Sequence, residues 1–369
     1  MTQVKQPKDP LLRIAKRDAI GRPKAYAIRL IGVLLSLLVS GAFIFAVTKL
    51  NPIQVYNAIF DGAFGTERRS WVTIRDAMML LCIGVGLAPA FKMKFWNIGA
   101  EGQILIGGIV TAGLMRAFGS TLPTPVLLLL MAVMSLLAGC VWGVIPATFK
   151  AVWNTNETLF TLMMNYVAIQ LTSYFVALWE NPIGSNTVGV INQRTRAGWF
   201  PELLGQSYTL NVILVMALAI GMFLYLKYSK QGYEISVVGD SENTARYAGI
   251  NVKKVTIRTM AISGAICGMA GFIEVAGVSH TISTSTAGGR GFTAIIVAWL
   301  AQFNTFVMIL ISFLLVFLQK GATQIASQFN LNDYASNIIT GIILFFILGS
   351  EFFINYRVIV RGGKEGSAK

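Results

Sequence analysis

The sequence has little charge, little histidine and few cysteines, and each shortage argues against a class of protein. Only 12% of its 369 residues are Asp, Glu, Lys or Arg, whereas a soluble domain carries about a quarter. The three cysteines lie far apart in apolar runs, so they suit neither a metal site nor a disulfide framework. A single histidine cannot form a histidine-rich metal site. The composition therefore disfavours soluble enzymes, nucleic-acid binders and disulfide-rich secreted proteins.

Long hydrophobic stretches are what the sequence has instead. Hydrophobic residues make up 55% of the chain, and its mean hydropathy is +0.65. Many runs are free of charge and long enough to cross a bilayer. We predict an all-α polytopic membrane protein of about ten transmembrane helices. They lie near residues 30–47, 76–91, 96–115, 125–148, 158–179, 209–226 and 259–279, two within 291–319, and one at 335–353.

The run from residue 291 to 319 decides this count. As one helix, its 29 charge-free residues would measure about 43 Å, against a hydrocarbon core of about 30 Å. Gln302, Phe303 and Asn304 lie near its middle. A break there gives ten spans and places both basic termini on one side, as the positive-inside rule prefers, whereas one span gives nine. We predict the break, with a short helix before it.

The net charge of +14 indicates topology rather than a nucleic-acid partner. Eighteen of the 30 basic residues lie in residues 1–29, 227–258 and 357–369. Basic residues beside hydrophobic spans mark cytoplasmic segments. We predict a cytoplasmic tail at 1–29, a transmembrane domain at 30–356 with a cytoplasmic loop at 227–258, and a cytoplasmic tail at 357–369. The protein would span a bacterial-type inner membrane many times, in contact with the lipid bilayer.

A polar segment at the start of the third span is the sharpest local feature. Residues 97–103 read Asn-Ile-Gly-Ala-Glu-Gly-Gln. Ionisable residues within a membrane are costly and usually face a cavity or a partner. Asn97 and Glu101 share a helix face and could form the polar wall of a solute path. Alternatively, Asn97 is a helix N-cap and Glu101 faces the positive end of its helix.

Three further polar residues are candidates for the same path. Glu274 follows Gly264 and Gly268, whose spacing suits close helix packing; it could face the solute or snorkel to the outer surface. Arg290 could pair with Glu274 or face the solute mouth. Asn165 could line a cavity or make an interhelical hydrogen bond. The candidate pathway residues are Asn97, Glu101, Gln103, Asn165, Glu274 and Arg290.

The loop at 227–258 contains the pattern of a short helix outside the membrane. Ser241 suits an N-cap, Glu242 a first turn, and Gly249 a C-terminal stop. A helix of about two turns is marginal alone, which favours docking on a partner over a solvated loop. The chain has no nucleotide-binding motif, since glycine-rich residues 288–291 lack the required lysine and spacing. Any uphill transport needs a separate ATPase or an ion gradient.

Residues 97–103 resemble a hallmark of the membrane subunits of ABC importers, in the permease group for nucleosides, simple sugars and related solutes. This is the ribose and branched-chain amino-acid permease superfamily. Further similar segments lie at 162–166, 245–250, 262–274 and 291–295, and the resemblance covers about residues 52–350. The chain looks closer to the nucleoside type than to the ribose or branched-chain amino-acid types. It departs from the family at 301–304, where the family usually has a glycine-rich turn.

The resemblance implies a type II importer-like permease fold and no bond chemistry. The chain would bind no cofactor and no metal, because ATP and Mg belong to the partner ATPase. The implied partners are an ABC ATPase subunit, a sibling or identical second permease and an extracytoplasmic solute-binding protein. The solute would be a nucleoside or simple sugar. The candidates for the helix that couples to the ATPase are Ser241, Glu242, Asn243, Ala245, Arg246, Tyr247, Ala248 and Gly249.

An ion-coupled secondary transporter is the alternative to an ABC permease. Asp76, Glu101 and Glu274 lie near or within spans and could carry coupling ions. An intramembrane enzyme would need convergent catalytic groups, which the sequence does not provide.

Overall fold

The computed structural model describes residues 12–17, 21–203, 205–331 and 333–360, and these are mostly helical. In chain order the helices are α1 (Arg22–Thr48), α2 (Pro52–Phe64), α3 (Glu67–Lys92), α4 (Ala100–Phe118), α5 (Thr124–Trp153), α6 (Glu157–Trp179), α7 (Thr209–Tyr228), α8 (Lys230–Asp240), α9 (Glu242–Tyr247), α10 (Val252–Glu274), α11 (Arg290–Leu300), α12 (Thr305–Phe329) and α13 (Asp333–Asn355). One turn of π-helix, Val275–Ser279, continues α10.

Every span expected from the sequence coincides with a helix, namely α1, α3 to α7 and α10 to α13. Seven helical segments among the described residues are long and apolar enough to cross a membrane. They are Leu30–Thr48, Glu67–Lys92, Thr124–Trp153, Glu157–Trp179, Thr209–Tyr228, Val252–Ser279 and Thr305–Phe329. The chain is a multi-pass membrane protein, and the total of ten spans stays a prediction.

The break predicted near residue 302 is confirmed. Helix α11 ends at Leu300 and α12 begins at Thr305. Between them, Gln302 (φ 48°) and Phe303 (φ 61°) adopt left-handed backbone conformations. The chain therefore turns here without a glycine.

The description of the fold as all-α is wrong at the chain ends. Strand β1 (Leu12–Lys16) pairs antiparallel with β2 (Tyr356–Val360). Backbone pairing thus joins the two segments predicted as tails, and α1 already begins at Arg22. Residues 1–11, 18–20 and 361–369 of those predicted tails lie outside the described residues.

The chain divides into two compact units. The first takes Met1–Gly65 with Phe317–Lys369, and the second takes Thr66–Val316. In the first unit α1 packs on α13, where a Cβ placed on Gly32 would lie 2.7 Å from the Cβ of Ser350. In the same unit, the Tyr56 and Ser40 hydroxyls are 2.9 Å apart and link α2 to α1.

Helix α10 forms the centre of the second unit because its glycines allow backbone contact with α5 and α4. A Cβ on Gly268 would lie 2.4 Å from the carbonyl oxygen of Ser135. A Cβ on Gly264 would lie 2.3 Å from the carbonyl oxygen of Gly139. The packing role predicted for Gly264 and Gly268 is confirmed, and it matches the small-residue contacts by which membrane helices approach closely.

The second unit has two distinct ends along α10. At one end α8 and α9 precede Val252, and a Cβ on Gly239 of α8 would lie 2.1 Å from the Lys92 carbonyl oxygen. Helix α8 lies in the segment expected to be a hydrophilic loop. Beyond the other end of α10, the Ile191 N–H donates to the His280 carbonyl (2.9 Å), and the Phe200 N–H donates to the Ala276 carbonyl (3.0 Å).

Candidate functional site

Buried amide and hydroxyl groups surround the start of α4, in the second unit. Asn97 is fully buried, and its Oδ1 accepts from the Gly99 N–H at 3.0 Å. Its Nδ2 donates to Ser263 Oγ of α10 at 3.1 Å. Gln103 is also buried, and its side-chain amide pairs with that of Asn97 at 3.4 Å. The N-cap of α4 is Gly99, so the alternative that made Asn97 the N-cap is wrong.

Asn165 of α6 ties its own helix to the beginning of α4. Its Oδ1 accepts from the Gly102 N–H at 2.8 Å, and its Nδ2 donates to the Ile98 carbonyl at 2.9 Å. The first N–H groups of a helix have no partner within that helix, and Asn165 satisfies one of them from outside. The interhelical alternative for Asn165 is the one the contacts support, and its side chain is buried.

Glu101 stabilises the start of a second helix, α11. Its Oε1 accepts from the Gly289 N–H at 2.7 Å, and its Oε2 accepts from the Gly291 N–H at 2.8 Å. The carboxylate therefore faces the positive end of the α11 dipole. Glu101 also lies in the first turn of its own helix, as one alternative predicted.

Two glycines at the start of α11 fit this arrangement. Gly289 has φ +73°, a conformation that side chains rarely adopt. A Cβ on Gly291 would lie 2.6 Å from the Glu101 backbone nitrogen. The motif Gly288-Gly289-Arg290-Gly291 does accept an anion, but that anion is a carboxylate of the same chain. The sequence signal was the run of glycines directly before a predicted short helix.

Charged side chains from α3, α10 and α11 form a network beside this contact. Arg290 Nη1 donates to Glu274 Oε2 at 2.7 Å, and Arg290 Nη2 lies 3.9 Å from Asp76 Oδ1. Arg75 also pairs with Asp76, at 2.8 Å. The pairing of Arg290 with Glu274, one of the two alternatives for Arg290, is present. Glu274 is buried rather than snorkelling. Sequence reasoning missed Arg75, although its position beside Asp76 in an apolar helix was a signal.

A polar cavity lies at the far end of the second unit, away from α9. Its volume is about 520 Å³, and Trp199, Tyr208 and His280 are among its lining residues. Arg75 Nη1 donates to the Tyr208 hydroxyl at 3.3 Å, which connects the cavity to the charged network. The His280 ring stacks on Trp199 with centroids 3.7 Å apart. Burial lowers the pKa of His280 below its ordinary value.

The short helix predicted in the 227–258 loop is present as α9, with both predicted ends. Ser241 Oγ accepts from the Thr244 N–H at 3.3 Å and caps the N-terminus. Gly249 has φ +77°, and the Ile250 N–H donates to the Ala245 carbonyl at 2.9 Å. This is the Schellman arrangement at a helix C-terminus.

Helix α9 presents nearly all of its side chains outward. Ala245 is fully buried and anchors the helix. Tyr247 is 94% exposed, and Asn243, Ala248 and Gly249 are exposed as well. Glu242 and Arg246 form an exposed ion pair at 3.5 Å. These side chains form a small polar and aromatic surface held on a defined backbone.

Two features of this multi-pass membrane protein are typical of a transport subunit. One is the half-length helix α11, held within the bundle, and the other is the short helix α9, exposed at one end. The chain belongs to the family described as branched-chain amino acid transport system / permease component, whose model matches residues 72–348. That match covers the second unit almost completely, together with all of α12 and most of α13.

Curated relatives resemble the chain over most of its length. It is 28% identical to a glucose ABC transporter permease protein of Haloferax volcanii, over 96% of each chain. It is 30% identical to a guanosine ABC transporter permease protein of Bacillus subtilis, over 87% of this chain and 92% of the relative. A nucleoside ABC transporter permease protein of Lactococcus lactis is 27% identical, over 83% and 86%. No solved structure matches the chain.

These relatives are permease subunits of ABC transporters. The chain is accordingly a permease subunit and not an enzyme, and ATP hydrolysis belongs to a separate subunit of the transporter.

Proposed function

We propose that the chain forms the translocation pathway of an ATP-driven importer for a nucleoside or simple sugar, together with a sibling or identical second permease. The observation that carries this proposal is the similarity to permeases named for guanosine, nucleosides and glucose over more than four fifths of the chain. A solute-binding protein on the outer side would deliver the solute.

The buried contacts support a scaffolding role for the candidate pathway residues. Asn165 holds the start of α4, and Glu101 of α4 holds the start of α11. Transporters build their solute sites beside interrupted helices whose ends lie inside the membrane. Asn97, Gln103 and Asn165 would thus fix the position of α11, and Glu274 with Arg290 would fix the side of α11 that faces the path.

Helix α9 would couple this chain to the ATPase. Its exposed side chains form a surface that a partner can contact, and the buried Ala245 packs the helix against the rest of the unit. Movement of the ATPase would pass through α9 and α8 to α10. Helix α9 would then lie in the cytoplasm, and the basic residues of the 227–258 segment support this orientation. Both chain termini would then be cytoplasmic, in a bacterial-type inner membrane.

The contacts of three carboxylates disfavour the ion-coupled alternative. Glu101 accepts hydrogen bonds at both oxygens from backbone N–H groups. Glu274 pairs with Arg290, and Asp76 pairs with Arg75. A coupling carboxylate must be open to its ion, whereas Glu101 is engaged by backbone N–H groups and the other two carboxylates are paired with arginine side chains.

The solute proposal is tested by competition. Proteoliposomes would contain this chain with its ATPase and binding protein, and the uptake of a radiolabelled nucleoside would be measured with unlabelled competitors. We expect a nucleoside or a simple sugar to be taken up and to compete. Uptake of leucine or valine, with no response to nucleosides or sugars, would overturn the solute class and leave the permease assignment intact.

A further inference from the structure

The first unit contains a wide apolar groove between α1 and α13. Its volume is about 820 Å³. Ile31 and Leu35 of α1 form one wall, and Phe345, Phe352 and Phe353 of α13 form the other. All five of these side chains are exposed by more than a third. The groove is therefore an open hydrophobic surface between two apolar helices.

Among the described residues, Arg17 is the cation that lines this apolar groove. Arg17 follows β1 directly and is a lining residue, and its Nε atom is buried without a hydrogen-bond partner among the described residues. A buried guanidinium nitrogen without an acceptor is costly. The groove thus combines apolar walls with the positive charge of Arg17.

The charge of the surrounding sequence has the same sign. Residues 12–32 contain six basic residues and one acidic residue. Lys24 is exposed at the beginning of α1, and Arg357 is exposed in β2, opposite Ala15. Clusters of four to eight basic residues beside a span attract anionic lipids. Arginine also binds phosphate oxygens through two parallel hydrogen bonds.

We propose that this groove binds an anionic glycerophospholipid from the leaflet next to the chain termini. The acyl chains lie against Ile31, Leu35 and the phenylalanines, and the phosphate accepts hydrogen bonds from Arg17. An amphiphile with a negative head satisfies the apolar walls and the guanidinium together. The proposal does not depend on which solute is transported.

The open glycines of α13 provide a matched pair of variants. Gly349 lines the groove, and a Cβ on it would meet no atom within 4 Å. Gly341 lies in the same helix, is equally open and does not line the groove. Gly349→Leu therefore adds side-chain volume to the groove from a Cβ that meets no neighbour, and Gly341→Leu is its control. Arg17→Gln removes the cation, and Lys24→Gln removes a neighbouring cation outside the groove.

Native mass spectrometry of the full-length chain in mild detergent measures the retained lipid. Phosphatidylglycerol would be compared with phosphatidylcholine of the same acyl composition. We expect the unmodified chain, K24Q and G341L to retain phosphatidylglycerol preferentially. R17Q should lose most of that preference, by about fivefold or more, and G349L should retain less of both lipids.

Thermal unfolding of the same proteins gives a second readout, in which phosphatidylglycerol should raise the Tm of the unmodified chain but not that of G349L. Equal retention of both lipids by all five proteins would overturn the proposal. So would a G349L variant that loses a dimer while its lipid retention is unchanged, since a second copy would then be the occupant. If R17Q does not fold, the comparison of G349L with G341L decides the matter.

Discussion

Glu101 and Gly291 are 190 residues apart in sequence, and the Glu101 carboxylate accepts a hydrogen bond of 2.8 Å from the Gly291 N–H. The second oxygen of the same carboxylate accepts from the Gly289 N–H. Helix α11 therefore begins at an acceptor supplied by α4. Because the beginning of α4 is itself held by Asn165 of α6, two interhelical caps in series position the half-length helix.

Replacing Glu101 by Gln should destabilise the protein as well as impair transport. A glutamine can accept one of the two hydrogen bonds, but its NH₂ group would face the other N–H. Hydrogen bonds to buried charged groups contribute about 1.5–3 kcal/mol each, so we expect a loss of about 2 kcal/mol, measured as a lower Tm in detergent. The control is Glu67→Gln in the exposed first turn of α3, with an expected loss under about 1 kcal/mol. Lost uptake at an unchanged Tm would instead make Glu101 a direct solute contact.

Adding a single methyl group at Gly291 should disrupt the contact between α4 and α11. A Cβ there would lie 2.6 Å from the Glu101 backbone nitrogen and 2.7 Å from its Oε2. We expect Gly291→Ala to lower the Tm markedly and to reduce uptake. Gly221→Ala in α7 is the matched control, because its Cβ would meet nothing within 4 Å. Alanine is the better helix former by roughly 1 kcal/mol, so the control should be neutral or more stable. Equal behaviour of the two variants would contradict the close approach.

Much of this architecture follows from the sequence, because membrane-spanning helices are determined by local composition. The ten expected spans coincide with helices, because each depends on the composition of neighbouring residues. The break near residue 302 and the two ends of α9 were also predicted correctly, for the same reason. Ser241 caps α9 through a residue three positions away, and Gly249 ends the same helix through its own backbone conformation. Because both effects are local in sequence, the roles of these residues could be identified from the sequence.

The contacts that define the site were not predictable in the same way. The partners of Glu101 lie near residue 290, and no local pattern indicates that α4 and α11 begin side by side. One of the two alternatives for Asn97 made it the N-cap because it precedes an apolar run. The helix starts three residues later, and the Asn97 side chain donates to Ser263 instead. The pairing of β1 with β2 joins the two ends of the chain, and strands of five residues give no signal beside long spans.

The pair formed by Glu274 and Arg290 should behave as a coupled unit. Removing Arg290 leaves the Glu274 carboxylate buried without this partner, which typically costs about 3–5 kcal/mol. Removing Glu274 costs less, because Arg290 is partly exposed and still lies 3.9 Å from Asp76. Arg290→Gln should lower the Tm strongly and Glu274→Gln less so, and the double variant should lose less than the sum of the two. A double-mutant cycle of thermal unfolding measures this coupling. Additive losses would mean that the contact of 2.7 Å contributes nothing specific.

Changes on the outward face of α9 should separate assembly from stability. Tyr247 is 94% exposed, so Tyr247→Ala should change the free energy of unfolding by less than about 0.5 kcal/mol and leave the Tm nearly unchanged. We expect it to weaken co-purification of the ATPase subunit at least several-fold, as should the reversal of both charges at Glu242 and Arg246. Ile183, which is 93% exposed in the segment at the opposite end, provides the control Ile183→Ala. Undiminished co-purification by the α9 variants would contradict the coupling role.

The measurement that most directly tests the central proposal is solute uptake with the energy source controlled. Proteoliposomes containing this chain, its ATPase and its binding protein would be assayed with ATP present and a protonophore added, and then with a proton or sodium gradient and no ATP. The proposed ABC permease predicts undiminished uptake in the first condition and none in the second. Uptake driven by the ion gradient alone, by this chain without the ATPase, would contradict it.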